Sequence, residues 1–522
     1  MQDAKKTVKS TKKGLFSKFL DMVEKVGNKL PHPVTIFVLF SIAVIIISDI
    51  AARAGITIEF NMIDRTTMES KMTTVNAVSL LNADGIRFMF SKAVSNFTGF
   101  APLGTVLVAM LGVGVAEGTG LISAVLRKLV LSTPKGLITA VVVFAGVMSN
   151  VASDAGYVVL VPLGAIVFLS FGRHPLAGLA AAFAGVSGGF SANLLIGTLD
   201  PLLGGISTEA AQFISPGYVV APTANWYFMI VSTILITILG TLITERIVEP
   251  RLGKYTGSEK VDLHALNVGE RKGLVASFVA FLIFSIAILA MVVPEGGILR
   301  NPETGGIMGA SAFMDGLVPI IALFFLIPGV AYGIFAGTIK NDKDVANAMG
   351  KSMSTMGGYI VLAFAAAQFV AYFGYTNLGT ILAVKGAEFL QATGLVGFPL
   401  IIGFIIVSAF INLFIGSASA KWAIMAPVFI PMFMQLGFSP EFTQAAYRVG
   451  DSSTNIISPL MAYFAVIVAF AQKYDKDTGI GTLISTMVPY SIVFLFGWTV
   501  LLLVWYFLGL PLGPGAYIYL PM

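Results

Sequence analysis

The stretch GDSSTNIISP, residues 450–459, decides how this chain is to be read. It holds an acid, three consecutive hydroxyl side chains and an amide, between AAYRV and LMAYFAVIVAFA. The flanking sequence is apolar enough for a bilayer core, where no water satisfies polar groups. Such a cluster is tolerated at that depth only inside protein or against a water-filled cavity. It is either a set of helix-to-helix hydrogen bonds or part of a site.

Composition sets the class. Of 522 residues, 56% are hydrophobic and 11% are charged, whereas soluble domains carry about 25% charged residues. Apolar runs such as PVTIFVLFSIAVIIISDIAA (33–52) and GLVASFVAFLIFSIAILAMVV (273–293) are long enough to cross a core of about 30 Å as helices. The chain reads as an all-α polytopic membrane protein. It has no cysteine, so disulfides and thiolate metal sites are excluded. His32, His174 and His264 are scattered and show no metal-ligand spacing. A net charge of +5 fits lysine and arginine gathered in cytoplasmic loops and gives no reason to expect nucleic acid. Eight lysines precede residue 30. Residues 1–32 read as a basic cytoplasmic N-terminus, with GLFSKFLDMVEKVGNKL (14–30) as an amphipathic helix suited to the lipid surface.

Basic loops orient the rest. The N-terminus, the 246–272 loop and the 340–351 loop are predicted to be cytoplasmic, and segments 53–90 and 294–315 external. Simple spans are predicted near 33–52, 223–246, 273–293, 316–336 and 483–508. Two regions differ, being apolar yet interrupted by Gly, Pro and Ser: about 100–215 and 355–470. They are related to each other. Pro162, Phe168, Gly172, Pro175, Ala180, Ala181, Gly185 and Ser187 recur 265 positions later as Pro427, Phe433, Gly437, Pro440, Ala445, Ala446, Gly450 and Ser452. Upstream, LGTVL (103–107) matches LGTIL (378–382). The copies are placed at about 96–215 and 355–470. Arg127, Lys128, Lys135, Arg173 and His174 flank the first, and no comparable basic cluster flanks the second. The copies are therefore predicted to be inverted. Inverted repeats with interrupted helices mark secondary transporters, which place substrate and ions where the helices break.

Each copy is expected to hold a re-entrant hairpin followed by a broken helix. The first hairpin is predicted over 136–170 with its tip at SNVASDAG (149–156), and its break at SGGFSANLLIGTLDP (187–201). The second is predicted over 397–436 with its tip at GSASAKW (416–422), and its break at SSTNIISP (452–459). Charged residues within these elements are Asp154, Asp200, Lys421, Arg448 and Asp451. Arg448 and Asp451 are three apart and share a helix face, so they can pair, as a structural salt bridge or as part of a site. Lys421 is expected to snorkel to water and lie outside the site. Trp422, beside a hairpin tip, is a candidate to stack on an aromatic substrate, with packing against protein as the alternative. Arg448 suits a carboxylate, with Asp451 orienting it, and Ser419 and Asn412 complete the predicted substrate set. Asp451, Asn193, Ser452, Thr454 and Asn455 form the predicted ion- or proton-coupling set, with Asp200 either a further member or simply a cap on its helix. Sodium is one candidate ion, held by Asn193, Asn412 and Asn455; a proton on Asp200 and Asp451 is the other. Pro440 and Pro459 are the expected hinges.

These motifs resemble the p-aminobenzoyl-glutamate transporter (AbgT) family of bacterial inner-membrane proteins. The likeness runs from LPHPVTIFVLF (30–40) to LGLPLGPGA (508–516) and includes NFTGFAPLGTVLV, GRHPLAGLAAAFAGVSGGFSAN, INLFIGSASAKWAIMAP and AAYRVGDSSTNIISP. It implies a homodimer with about nine spanning helices and two opposed hairpins per protomer, within the ion transporter superfamily. The family's functional positions match Asp200, Asn412, Trp422, Pro440, Arg448, Asp451 and Pro459. The resemblance implies a substrate in which a benzamide is joined to glutamate, moved by an ion gradient across the inner membrane. It equally implies proton-driven exporters of sulfonamide antimetabolites. It implies no enzyme and no cofactor other than a possible sodium ion. No GxxxxGK[ST] sequence is present to bind ATP.

Overall fold

Helices dominate the computed structural model, which describes residues 31–520 apart from 65–68, 153–155, 258–265, 308–310, 460 and 462. The expected N-terminal amphipathic helix at 14–30 and Asp154 lie outside the described residues. Six helices are long and apolar enough to cross a membrane: Pro33–Arg53, Trp226–Leu252, Val268–Val292, Leu317–Ala336, Gly357–Tyr375 and Ile480–Leu508. The apolar pair Pro102–Gly118 and Leu121–Leu129, bent by 63°, makes a seventh if it is one broken span. The remaining apolar chain forms the shorter helices of the two repeats. Gly357–Tyr375 is a regular helix although it falls inside the region expected to be broken. Gly357 and Gly358 sit at its first turn and Gly374 at its last, and between them only Gln368 is polar apart from tyrosine. A small antiparallel strand pair, Thr57–Asp64 with Glu69–Asn76, departs from the all-helical expectation.

Both hairpins form. The first is Ile138–Ser149 followed by Gly156–Leu160 and Val161–Ser170. The second is Phe398–Asn412 followed by Ala418–Gln435. The duplicated residues do the same work twice. Gly172 (φ 71°) and Gly437 (φ 88°) each turn the chain out of a hairpin in the left-handed region, which favours glycine. Pro175 and Pro440 each open the next helix, where a missing N–H costs nothing. Gly185 and Gly450 let that helix press on the first arm of its hairpin. A Cβ would lie 2.3 Å from the Val143 carbonyl oxygen in one copy and 2.5 Å from that of Ile405 in the other.

One helix shows that the copies are opposed. At the base of the first hairpin, Arg173 pairs with Glu249 and bonds Thr139 at 2.7 Å. Arg251, two residues beyond Glu249, bonds Ser485 at 2.9 Å, near the start of Ile480–Leu508. At the base of the second hairpin, Phe438 packs on Tyr506 and Tyr519, with ring centroids at 6.2 and 5.6 Å. Ser485 and Tyr506 are roughly 30 Å apart along that helix at 1.5 Å per residue, the thickness of a hydrocarbon core. The two hairpins therefore enter from opposite faces. Cysteines introduced at Gly136 and Ala392, both exposed beside hairpin entrances, are expected to react with impermeant maleimide from the cytoplasmic and external side respectively. The chain is naturally free of cysteine, so labelling of both from one face would overturn the inverted arrangement.

Candidate functional site

The two helix breaks meet in the middle of the molecule. Pro175–Phe183 continues through Ala184–Gly188 with wide π-type turns, then the chain is irregular until Leu199–Ala211 begins. In the second copy Pro440–Asn455 stops, and helix resumes only at Phe464. Ser452, Ser453, Thr454 and Asn455 thus form the last helical turn, and the break proper starts at Ile456. Pro459 explains the stopping point, because its ring would collide with the carbonyl four residues back, that of Asn455. The Ser191 amide donates to the Ser452 hydroxyl at 3.0 Å, which fastens one break to the other.

Four buried charges lie around this junction, in two pairs. Arg448 Nη2 is 2.7 Å from Asp200 Oδ1, and Lys421 Nζ is 2.5 Å from Asp451 Oδ1. The Arg448–Asp451 pair that their spacing allows does not form. The helix carrying both residues is wedged between two elements, so Arg448 faces the segment opening at Leu199 while Asp451 faces the second hairpin tip. Lys421 does not snorkel either. It lies one turn into a helix that starts at the tip, deep in protein, and its side chain is fully buried. A lysine in such a place requires a compensating acid, which was the available signal for placing it in the site. Asp200 also accepts from the Gly197 amide at 2.8 Å, so it ties down the turn before its helix and neutralises the guanidinium together.

Amides and hydroxyls complete the second half. Asn412 Nδ2 lies 2.6 Å from the Asp451 carbonyl oxygen, 2.9 Å from Thr454 Oγ1 and 2.8 Å from Asn455 Oδ1. Asn412 Oδ1 accepts from Lys421 Nζ. Asn193 is elsewhere: it donates to the Val147 carbonyl at 3.3 Å and accepts from the Leu195 amide at 3.0 Å. The three asparagines expected to share one sodium ion are therefore divided between the repeats. Trp422 is covered on one face by Tyr447, with ring centroids 4.4 Å apart, and its indole N–H donates to Ser207 at 3.0 Å. In this conformation it packs rather than offering a free ring. Several buried polar atoms have no protein partner, among them Arg448 Nε, Asp451 Oδ2, Asn150 Oδ1 and Ser191 Oγ.

A cavity of about 760 Å³ opens onto this junction. Ser417 and Ser419 from the second hairpin tip, Asn455 from the helix end before its break, Tyr463 from the break itself, and Asn150 and Tyr157 from the first hairpin line it. Tyr157 and Tyr463 stack with centroids 4.8 Å apart and planes 4° off parallel. This inter-repeat aromatic pair was not anticipated, since neither residue falls in a repeated motif. Asp200 follows directly on the lining residues Thr198 and Leu199, and Arg448 is bonded to it. Among the described residues no cluster of three or more His, Cys, Asp or Glu could hold a metal.

Comparisons with known proteins agree over the full length. Residues 18–520 match the AbgT putative transporter family. The chain is 42% identical over 500 residues to the p-aminobenzoyl-glutamate transport protein of Escherichia coli (strain K12), covering 96% of this chain and 97% of that protein. The crystal structure of the Alcanivorax borkumensis YdaH transporter, described as having an unusual topology, superposes with TM-score 0.87 at 49% identity, covering 93% of this chain and all of that one. The Neisseria gonorrhoeae MtrF structure, described as illuminating a class of antimetabolite efflux pumps, superposes with TM-score 0.89 at 52% identity, covering 95% of this chain and all of that one. The chain belongs to the AbgT family and is a multi-pass membrane transporter.

Proposed function

We propose that this AbgT-family member carries p-aminobenzoyl-glutamate or related aromatic carboxylates across the bacterial inner membrane by alternating access, as a homodimer coupled to a proton or sodium gradient. The observation that carries the reading is the cavity between two opposed repeats with a guanidinium bonded to the acid beside its lining. Its volume falls in the range of about 300–1,000 Å³ common to small-molecule sites, and its mixed lining of tyrosines, serines and amides suits a ring bearing polar arms.

Arg448 and Asp200 suggest how an ion is coupled. A substrate carboxylate reaching Arg448 competes with Asp200 for the same donors. Once displaced, Asp200 is a buried acid without its cation, and protonation becomes favourable. Substrate and proton then bind together, which makes the carrier a symporter. A second reading, proton-driven export of sulfonamides, is favoured by the likeness to MtrF. Reconstituted liposomes with pH or sodium gradients imposed separately and in both directions test the two. Symport is expected to concentrate p-aminobenzoyl-glutamate on the alkaline side, and Asp200→Asn to abolish that accumulation. Concentration of sulfonamide on the acidic side would establish export, and movement of neither compound would overturn both.

A further inference from the structure

Lys421 does not reach for water, because its ammonium is met by oxygen inside the protein. It meets Asn412 Oδ1 and Asp451 Oδ1, and Ile415 offers its carbonyl oxygen at 3.4 Å. Thr454 Oγ1 and Asn455 Oδ1 stand one amide further out, at 2.9 and 2.8 Å from Asn412 Nδ2. Both belong to the C-terminal turn of Pro440–Asn455, the negative end of a helix dipole. Carboxylate, side-chain carbonyl, non-helical backbone carbonyl and a helix C-terminus at a break are what transporters use to bind sodium.

The oxygens also outnumber the donors. A single Asn412 amide nitrogen lies within hydrogen-bonding distance of three acceptors but carries only two hydrogens. Asp451 Oδ2 is buried with no partner at all. Acceptors gathered this closely around a carboxylate need a cation, and the Lys421 ammonium is the one that meets them. Among the described residues the first hairpin tip brings no lysine or arginine to its own break, where Asn150 Oδ1 and Ser191 Oγ remain unpartnered.

We infer that the Lys421 ammonium is a tethered cation occupying the position where the second repeat would otherwise bind sodium, so that no sodium ion binds there in the native protein. This rests on the transporter reading only for its consequence, that energy coupling at the second repeat does not use sodium. Removing the ammonium while keeping Asp451, Asn412, Thr454 and Asn455 leaves a site of the right charge and ligand type vacant.

Thermal unfolding of the purified full chain in sodium chloride against choline chloride tests the inference without any substrate. A failure here is thereby distinguishable from a failure of the proposed function, which liposome transport measures. Lys421→Ala is expected to gain a sodium-specific, saturable rise in midpoint of about 5 °C or more that the native protein lacks. Recovery of folded Lys421→Ala protein in sodium but not in choline counts the same way. A folded Lys421→Ala variant whose sodium response equals that of the native protein overturns the inference. Should the variant be recovered in neither salt, the native protein decides. A sodium response unchanged by Thr454→Ala supports lysine occupancy, and a native response lost in Thr454→Ala overturns it.

Discussion

Replacing Arg448 by Lys is expected to lower p-aminobenzoyl-glutamate transport by about 100-fold or more while leaving the protein folded. The guanidinium is buried against Asp200 at 2.7 Å. Arg448→Ala would leave that acid alone in the interior, and breaking one side of a buried pair costs about 3–5 kcal/mol. Lysine keeps the positive charge, so Asp200 stays compensated and stability is largely preserved. What lysine cannot supply is the planar fork that grips a carboxylate through two parallel bonds. Arg448 Nε has no partner in the protein, which leaves one prong free for substrate. Hydrogen bonds to charged groups contribute about 1.5–3 kcal/mol each. Losing one or two of them, at 1.36 kcal/mol per tenfold, gives the stated factor. Counterflow of radiolabelled substrate in liposomes, with thermal unfolding as the control for folding, measures it. Native counterflow rates in Arg448→Lys would remove Arg448 from the substrate site.

The limits of the sequence are visible in particular residues. Gly172, Gly437, Pro175 and Pro440 were legible as a duplication because each answers to a local backbone demand, and Gly185 and Gly450 because each copy repeats the same close approach to the first arm of its hairpin. The hairpins and their breaks were legible for the same reason, since Gly, Pro and polar clusters interrupt apolar runs. Partner choice was not. Spacing along a helix placed Arg448 and Asp451 on one face, yet each is claimed by a different neighbouring element. Trp422 stood out as a lone ring near a tip, and only tertiary packing supplies the Tyr447 face that covers it. The Tyr157–Tyr463 stack joins the first hairpin to the second break, a contact no periodicity encodes. Side chains that answer to their own backbone can be read early. Those that answer to another segment wait for the fold.

The second large effect follows from the Lys421–Asp451 pair, and it is non-additive. Both side chains are fully buried, so either single replacement, Lys421→Met or Asp451→Asn, strands one charge among apolar and amide groups. In choline chloride each is expected to lose about 3–5 kcal/mol of stability. The double variant Lys421→Met/Asp451→Asn buries no charge at this place. Uncharged replacements of a whole buried pair are often neutral or better, so most of the lost stability is expected to return. Asn412, left without an ammonium to bind, keeps its own contacts with the Asp451 carbonyl, Thr454 and Asn455, which holds the helix end in place. Transport is expected to stay absent in the double variant, because the groups that balance the junction through the transport cycle are gone although the fold is intact. Unfolding midpoints of the four proteins form a double-mutant cycle. Losses that simply add would show that Lys421 and Asp451 do not depend on each other, and the second repeat would then need another source for its charge balance.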